Sequence, residues 1–352
     1  MITLNPIRVA KRLIGPGLLC FMVAEIGINH NGDMRLARAM IDAAVKAGAD
    51  AVKFQNYRTE DFLSDRSSTY SYKRGKKTIT ESQFDMFKRC ELSTRDLAEL
   101  AAHCKRRKVI FFSTPTSAEG VRELQKLRVP LLKNGSDYLG NLSLIRTMAR
   151  TKIPTVLSTG MATVNEIDSA VHAFRHAGGF DLILLHCVSS YPAPPSSVHL
   201  RKIPALAAAF GCPVGFSDHT EGIVAALGAV ALGACFIEKH FTTDCGLPGP
   251  DQELSSDPVE FGVLVRSVRL MEQCLGESRI GPSISEAKNR RKFRLSCIAA
   301  RDLKAGHRMK TGDVVFRRPG TGLPPSAIEQ LLNRKLIHTV SAGYLFSSND
   351  FR

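Results

Sequence analysis

Two histidines 21 residues apart, His219 in Ser217-Asp218-His219-Thr220 and His240 in Glu238-Lys239-His240, carry the strongest chemical signal in the sequence. Two neutral imidazoles suit a divalent metal, and with only two protein ligands such a metal keeps positions open for water and substrate, as a Lewis acid requires. The spacing is not that of a structural zinc site, which points to Mn²⁺ or Mg²⁺ rather than structural Zn²⁺. A single histidine at a strand end is ordinarily a hydrogen-bonded structural residue. Two of them, each beside an acid (Asp218, Glu238) that could orient the ring, reverse that preference. Lys53 and Lys133 are point charges suited to phosphate or carboxylate, although either alone would read as a surface lysine. Thr114, Ser136, Ser158 and Ser217 add hydroxyl donors for the same oxygens. His186 is left open between packing and function, and Cys187 and Cys235 read as small core residues.

These residues share one position in the chain pattern. From residue 18 to about 276, short apolar β-branched runs alternate with amphipathic segments of helical spacing. The eight short runs are Leu19–Ala24, Ala51–Phe54, Val109–Phe112, Val129–Leu132, Thr155–Leu157, Leu182–Leu185, Val214–Phe216 and Cys235–Ile237. Strands buried on both faces and separated by helices imply a parallel sheet. Eight βα units in this length fit an α/β chain closed as a (β/α)₈ TIM barrel better than an open doubly wound sheet, and no G-x-G-x-x-G follows the first strand. In such a barrel chemistry sits at the C-terminal strand ends. Glu25, Lys53 with Gln55, Thr114, Lys133 with Ser136, Ser158, His186 with Tyr191, His219 and His240 occupy the eight ends in turn.

Composition narrows the classes. The 352 residues are 44% hydrophobic and 23% charged, which supports a large core and excludes a disordered chain. The most apolar N-terminal stretch, Leu13 to Ala24, is interrupted by Gly15-Pro16-Gly17 and is too short to span a bilayer; it is read as a buried strand. Nine cysteines without a C-x-x-C pair argue for a reducing, cytoplasmic setting. The net charge is +15, and residues 283–352 alone hold 14 Lys+Arg against 5 Asp+Glu. The segment 56–95, with the basic piece Tyr72-Lys73-Arg74-Gly75-Lys76-Lys77, is long for a βα loop and is expected to be functional or disordered. The domain reading is a barrel over 1–280, a linker over 281–294 and a small domain over 295–352.

Seven strings in order resemble the sialic acid synthase family: Ala24-Glu25-Ile26-Gly27-Ile28-Asn29-His30-Asn31-Gly32, Val52-Lys53-Phe54-Gln55, Phe112-Ser113-Thr114-Pro115, Leu157-Ser158-Thr159-Gly160-Met161, Gly215-Phe216-Ser217-Asp218-His219-Thr220, Ile237-Glu238-Lys239-His240-Phe241-Thr242 and Pro248-Gly249-Pro250-Asp251. The resemblance implies a barrel joined to a C-terminal antifreeze-like (SAF) domain. It also implies Mn²⁺-assisted condensation of phosphoenolpyruvate with an N-acetylmannosamine-type sugar, giving a nine-carbon 2-keto acid and phosphate.

Carried over to this chain, the resemblance makes His219 and His240 the metal ligands and Glu25 the acid nearest the reacting carbons. Lys53, Thr114, Lys133, Ser136, Ser158 and Ser217 would hold phosphoenolpyruvate, and Gln55, Tyr191 and Asp251 would face the N-acetylated hexosamine. Arg318 would reach the partner subunit's barrel in a domain-swapped homodimer. Neither nucleic acid nor membrane is an expected partner. The sequence departs from N-acetylneuraminate synthases at Asn134-Gly135-Ser136-Asp137-Tyr138, where those enzymes have Gly-Glu after the serine, at Ser189 for asparagine and at Phe54 for histidine. These differences leave open a di-N-acetylated acceptor, as in legionaminic or pseudaminic acid synthases. Outside the family, a 3-deoxy-octulosonate phosphate synthase would lack the small domain and need a basic pocket for a sugar phosphate. A polysaccharide- or nucleic-acid-binding module on an inactive barrel is opposed by the scarcity of aromatics among the C-terminal basic residues.

Overall fold

The computed structural model describes residues 4–74 and 77–352, so Gly75 and Lys76 of the basic piece lie outside the described residues. The chain separates into two units, residues 1–276 and 277–352.

The first unit is a closed barrel of eight parallel strands: Phe21–Gly27, Ala51–Asn56, Ile110–Pro115, Leu132–Asn134, Thr155–Ser158, Leu182–Cys187, Val214–Asp218 and Phe236–His240. They neighbour one another in chain order, and the eighth pairs with the first to close the ring. Strand alternation sorts the side chains into two cores. Phe21, Val23, Ala51, Phe112, Val156, Ile183, Leu185 and Phe236 fill the barrel interior. Residues of the other parity, such as Met22, Ala24, Val52, Phe54, Leu157, Leu184, Phe216 and Ile237, pack outward against the helices.

The helices end where local chemistry dictates. Met34–Ala47 starts at the Asp33 cap and stops at Gly48 in a left-handed conformation (φ 93°), and Thr94–Arg107 and Val164–His176 each open with a capping box.

One expectation changes, and one of two open readings is excluded. Leu13–Ala24 is not one buried strand. Arg12–Ile14 pairs with Ile7–Val9 as an antiparallel hairpin, and Ile7, Val9 and Ile14 join the interior core. Gly15-Pro16-Gly17 then turns the chain, and Leu18 and Leu19 stay exposed before the first barrel strand. The long segment after the second strand is also structured. It folds as helix Thr59–Phe62, hairpin Thr69–Arg74 with Lys77–Ser82, and helix Gln83–Arg89. Buried Glu123 anchors it by accepting from Thr94, Asn56 and Arg58.

In the second unit, the segment read as a linker contains a capped helix, Ile284–Phe293, with no buried residue. Beyond it Ser296–Ala299 and Val314–Arg317 form a two-stranded antiparallel sheet over a core of Cys297, Leu303, Met309, Leu336, Phe346 and Phe351. Leu303 and Val340 meet in an isolated bridge. Among the described residues no helix is long and apolar enough to cross a membrane.

Candidate active site

The inward parity that is apolar at the bottom of the barrel turns polar at the C-terminal strand ends. Phe21 and Val23 lead to Glu25, Ala51 to Lys53 and Gln55, Phe112 to Thr114, Val156 to Ser158, and Phe236 to Glu238 and His240. On the seventh strand Gly215 leads to Ser217 and His219; a side chain at Gly215 would collide with Phe236 and Leu185. Together these ends line a cavity of about 370 Å³. Every expected barrel residue lines it: Glu25, Lys53, Gln55, Thr114, Lys133, Ser136, Ser158, Tyr191, Ser217, His219, His240 and Asp251. Arg318 belongs to the second unit, where its guanidinium stacks over Phe293 at 5.0 Å.

The floor is a buried cluster of charge. Glu238 lies 3.6 Å from the Lys53 ammonium and 3.5 Å from that of Lys133, and accepts from the Ser217 hydroxyl at 3.0 Å. Lys53 also meets Glu25 at 3.1 Å and donates to Thr114; Lys133 donates to Ser158 at 2.8 Å. Burial works to raise the pKa of both acids. At Glu238 the lysines and Ser217 outweigh burial and hold the carboxyl low, whereas at Glu25 burial wins and the carboxyl is pushed up. Burial also lowers Lys133, while at Lys53 the two carboxylates outweigh it and raise the ammonium. Two lysines beside hydroxyls facing a cavity form a cradle for an anion with several oxygens.

Next to that cradle Ser136 accepts from the Gly160 N–H at 3.0 Å and lies 3.1 Å from the Cys187 sulfur. A Cβ at Gly160 would fall within 3 Å of Ser136, Cys187 and Ser189, so only glycine leaves this corner open. Cys187 is buried, as its reading as a small core residue expects, and it also lines the cavity. Cys235 does sit in the core. His186 takes no part in the cavity; its Nε2 bonds the Val198 carbonyl and its ring stacks on Phe216.

His219 and His240 face each other with ring centroids 5.6 Å apart, and the exposed Tyr191 ring lies 4.2 Å from His219. Neither ring is oriented as the sequence suggested. Asp218 has the outward parity and binds Lys239, and Glu238 serves the lysines. His219 Nδ1 instead meets the Val188 carbonyl at 2.7 Å, so Nδ1 carries the proton and Nε2 the lone pair. The nearest group to that lone pair, Ser217 at 3.3 Å, gives its proton to Glu238. His240 Nδ1 is buried without a hydrogen-bond partner, 3.8 Å from Asp251. Burial, with His240 adding to it, lowers His219 to about 3, and burial lowers His240 as well. Two neutral rings with uncommitted nitrogen lone pairs fit a divalent cation. Among the described residues no group of three or more His, Cys, Asp or Glu could hold a metal, so the rest of its shell would come from water and substrate.

The sequence reading missed Glu238 as the hub of the floor, Cys187, and the wall that the structured insertion supplies through Tyr57, Phe62, Tyr70, Met86 and Phe87.

Comparison with known proteins agrees with this architecture. Residues 40–279 match the NeuB family and residues 296–352 match the SAF domain. The chain is 40% identical to an uncharacterized protein of Methanocaldococcus jannaschii, covering 95% of each chain. It is 38% identical to the N,N'-diacetyllegionaminic acid synthase of Legionella pneumophila, covering 94% of each. The crystal structure of the N-acetylneuraminic acid (sialic acid) synthetase of Leptospira borgpetersenii superposes with a TM-score of 0.75 at 33% identity, over 81% of this chain and 95% of that one. With its eight-stranded barrel, its convergent strand ends and its C-terminal SAF domain, the chain belongs to the NeuB family.

Proposed function

We propose that the enzyme condenses phosphoenolpyruvate with the open-chain form of an N-acetylated hexosamine, giving a nine-carbon 2-keto acid and inorganic phosphate. The observation that carries this reading is the buried pair Lys53 and Lys133, held by Glu238 and bonded to Thr114 and Ser158 at the floor of the cavity. Those lysines, with Thr114, Ser136, Ser158 and Ser217, bind the phosphate and carboxylate of phosphoenolpyruvate. Bound oxygens then meet fixed donors that do not have to reorganise as charge moves.

C3 of phosphoenolpyruvate forms a bond to the aldehyde carbon of the sugar, and the aldehyde oxygen becomes a hydroxyl by taking a proton. Glu25, raised by burial, is the donor. C2 is left electron-poor and adds water, whose proton returns to Glu25. The C2–O bond to phosphate then breaks, its electron pair leaving with the phosphate, the C2 hydroxyl proton passes to the departing phosphate, and the ketone forms. A divalent cation, Mn²⁺ in preference to Mg²⁺ or Co²⁺, held by His219 and His240 would polarise the sugar aldehyde. Gln55, Tyr191 and Asp251 orient the acceptor from the rim.

Asp137, Tyr138 and Ser189, where the sequence departs from N-acetylneuraminate synthases, all line the cavity, which favours a di-N-acetylated acceptor over N-acetylmannosamine. Arg318 is assigned to the acceptor as well, reaching it from the partner in a domain-swapped homodimer. The nine unpaired cysteines support a reducing, cytoplasmic setting.

The test offers phosphoenolpyruvate with N-acetylmannosamine, its 6-phosphate and a 2,4-diacetamido hexose in parallel. Phosphate release requiring an unphosphorylated N-acetylated sugar, with a 2-keto acid of the summed mass, is expected. Turnover confined to the sugar phosphate would overturn the reading.

A further inference from the structure

We propose that the insertion after the second barrel strand is the specificity wall of the acceptor site, and that it reads apolar substituents, the methyl of a 4-acetamido group above all, toward the end of the sugar away from the aldehyde. The inference rests on the condensation reading above and assigns a part of the same cavity that the chemistry does not use.

The rings of Tyr57, Phe62 and Phe87 meet edge-on with centroids 5.0–5.6 Å apart. Ile28 and Met86 pack with them, and all five line the cavity. The one hydroxyl in the triad is already committed, since Tyr57 donates to the Phe87 carbonyl at 3.0 Å. The triad is therefore carbon on its cavity side, with Tyr70 the one other wall residue that carries a hydroxyl, and Phe62 and Phe87 are only half-buried. A packed face of edge-on rings left partly open to a cavity favours methyl groups and disfavours hydroxyls or charge.

Its place in the ring fits the distal end of the acceptor. The wall hangs from the loops after the first and second strands, whereas Ser136 and Ser158 follow the fourth and end the fifth, across the mouth of an eight-membered ring. His219, just after the seventh strand, and His240, at the end of the eighth, lie between. An acceptor with its aldehyde near the histidines then directs its far substituents to the rings. Among the described residues the only Lys or Arg side chains lining the cavity are Lys53 and Lys133 on its floor, while Asp137 and Asp251 also face it. A terminal phosphate would meet carboxylates and aromatic carbon. A methyl would meet a matching surface.

The experiment compares kcat/KM for a 2,4-diacetamido hexose and for its 2-acetamido-4-amino counterpart. It uses the full-length enzyme, Phe62→Gln, Phe87→Gln and the apolar control Phe62→Leu. The unsubstituted enzyme is expected to prefer the 4-acetylated sugar by about tenfold or more. Either glutamine should cut that ratio to below about threefold while the phosphoenolpyruvate KM stays within about twofold, and Phe62→Leu should keep the ratio. Turnover with ratios unchanged in both glutamine variants would overturn the wall alone. No phosphate release with any sugar would overturn the condensation reading and the wall with it.

Discussion

The Lys239 ammonium donates to Asp218 across 2.8 Å between the eighth and seventh strands, both side chains are almost wholly buried, and neither reaches the cavity. The pair exists because Asp218 and Lys239 are register partners of the same parity, one step from the inward pair Ser217 and Glu238. Lys239 also donates to the Thr220 carbonyl, and Asp218 accepts from the Thr220 hydroxyl and N–H. Removing one charge strands the other in the barrel wall. Asp218→Asn is expected to destabilise the first unit by about 3–5 kcal/mol, read by chemical denaturation. Replacing both residues together, Asp218→Leu with Lys239→Met, should restore only part of that loss, because the buried Thr220 N–H, hydroxyl and carbonyl lose their partners. A single substitution costing under about 1 kcal/mol would mean that the charges are not carrying the turn.

His240 presents the opposite case, since its Nδ1 is buried with no hydrogen-bond partner and its loss removes no bond from the fold. His240→Ala should leave the unfolding temperature within a few degrees of the parent. Turnover should drop by about three orders of magnitude or more, and Mn²⁺ binding, measured by calorimetry, should fall below detection. A chelator should silence the unsubstituted enzyme reversibly, with Mn²⁺ restoring it. Parental turnover in the variant would refute the assignment of the cation to this pair.

Arg318 stacks over the Phe293 ring within its own unit. If it serves the acceptor, Arg318→Ala should raise the sugar KM by about tenfold and the phosphoenolpyruvate KM by less than about twofold. Dilution of the unsubstituted enzyme below its dimer dissociation constant should produce the same selective loss, because the arginine would come from the partner. Equal changes in the two KM values would remove it from the acceptor site.

The site was legible in the sequence wherever it obeyed strand period. Lys53, Ser158, Ser217 and His240 continue the inward parity of buried runs, so their convergence could be read before any coordinate. The same rule held information that went unused. Glu238 shares parity with His240 and so had to face the lysines, Cys187 shares it with Leu185, and Asp218 lies out of phase with His219. Tyr57, Phe62, Met86 and Phe87 carried no such signal, because their meeting depends on how two short helices and a hairpin fold over the mouth. The second unit was hard to read for a related reason. It has a single two-stranded sheet and isolated bridges, and buried acids hold its turns, so there is little period to follow.

Asp313 is one of those acids and makes the second unit sensitive to low pH. It is buried and accepts from Arg301 Nε at 3.0 Å and Nη2 at 2.7 Å, from His307 Nε2 at 2.8 Å and from the Lys310 N–H at 2.9 Å. Burial works to raise its pKa, but these donors outweigh it and lower the carboxyl from 3.8 to about 2. A carboxyl depressed in the folded state binds its proton more readily in the unfolded chain. Its stabilising contribution is therefore complete above about pH 4 and is lost as the pH falls toward 2. Amide exchange at Ala300, whose N–H bonds the Asp313 carbonyl, should report it. The excess protection of the parent over Asp313→Asn should be constant from pH 7 to 5 and should shrink between pH 4 and 2. An excess that persists unchanged to pH 2 would place the stabilisation in contacts other than this ionised carboxylate.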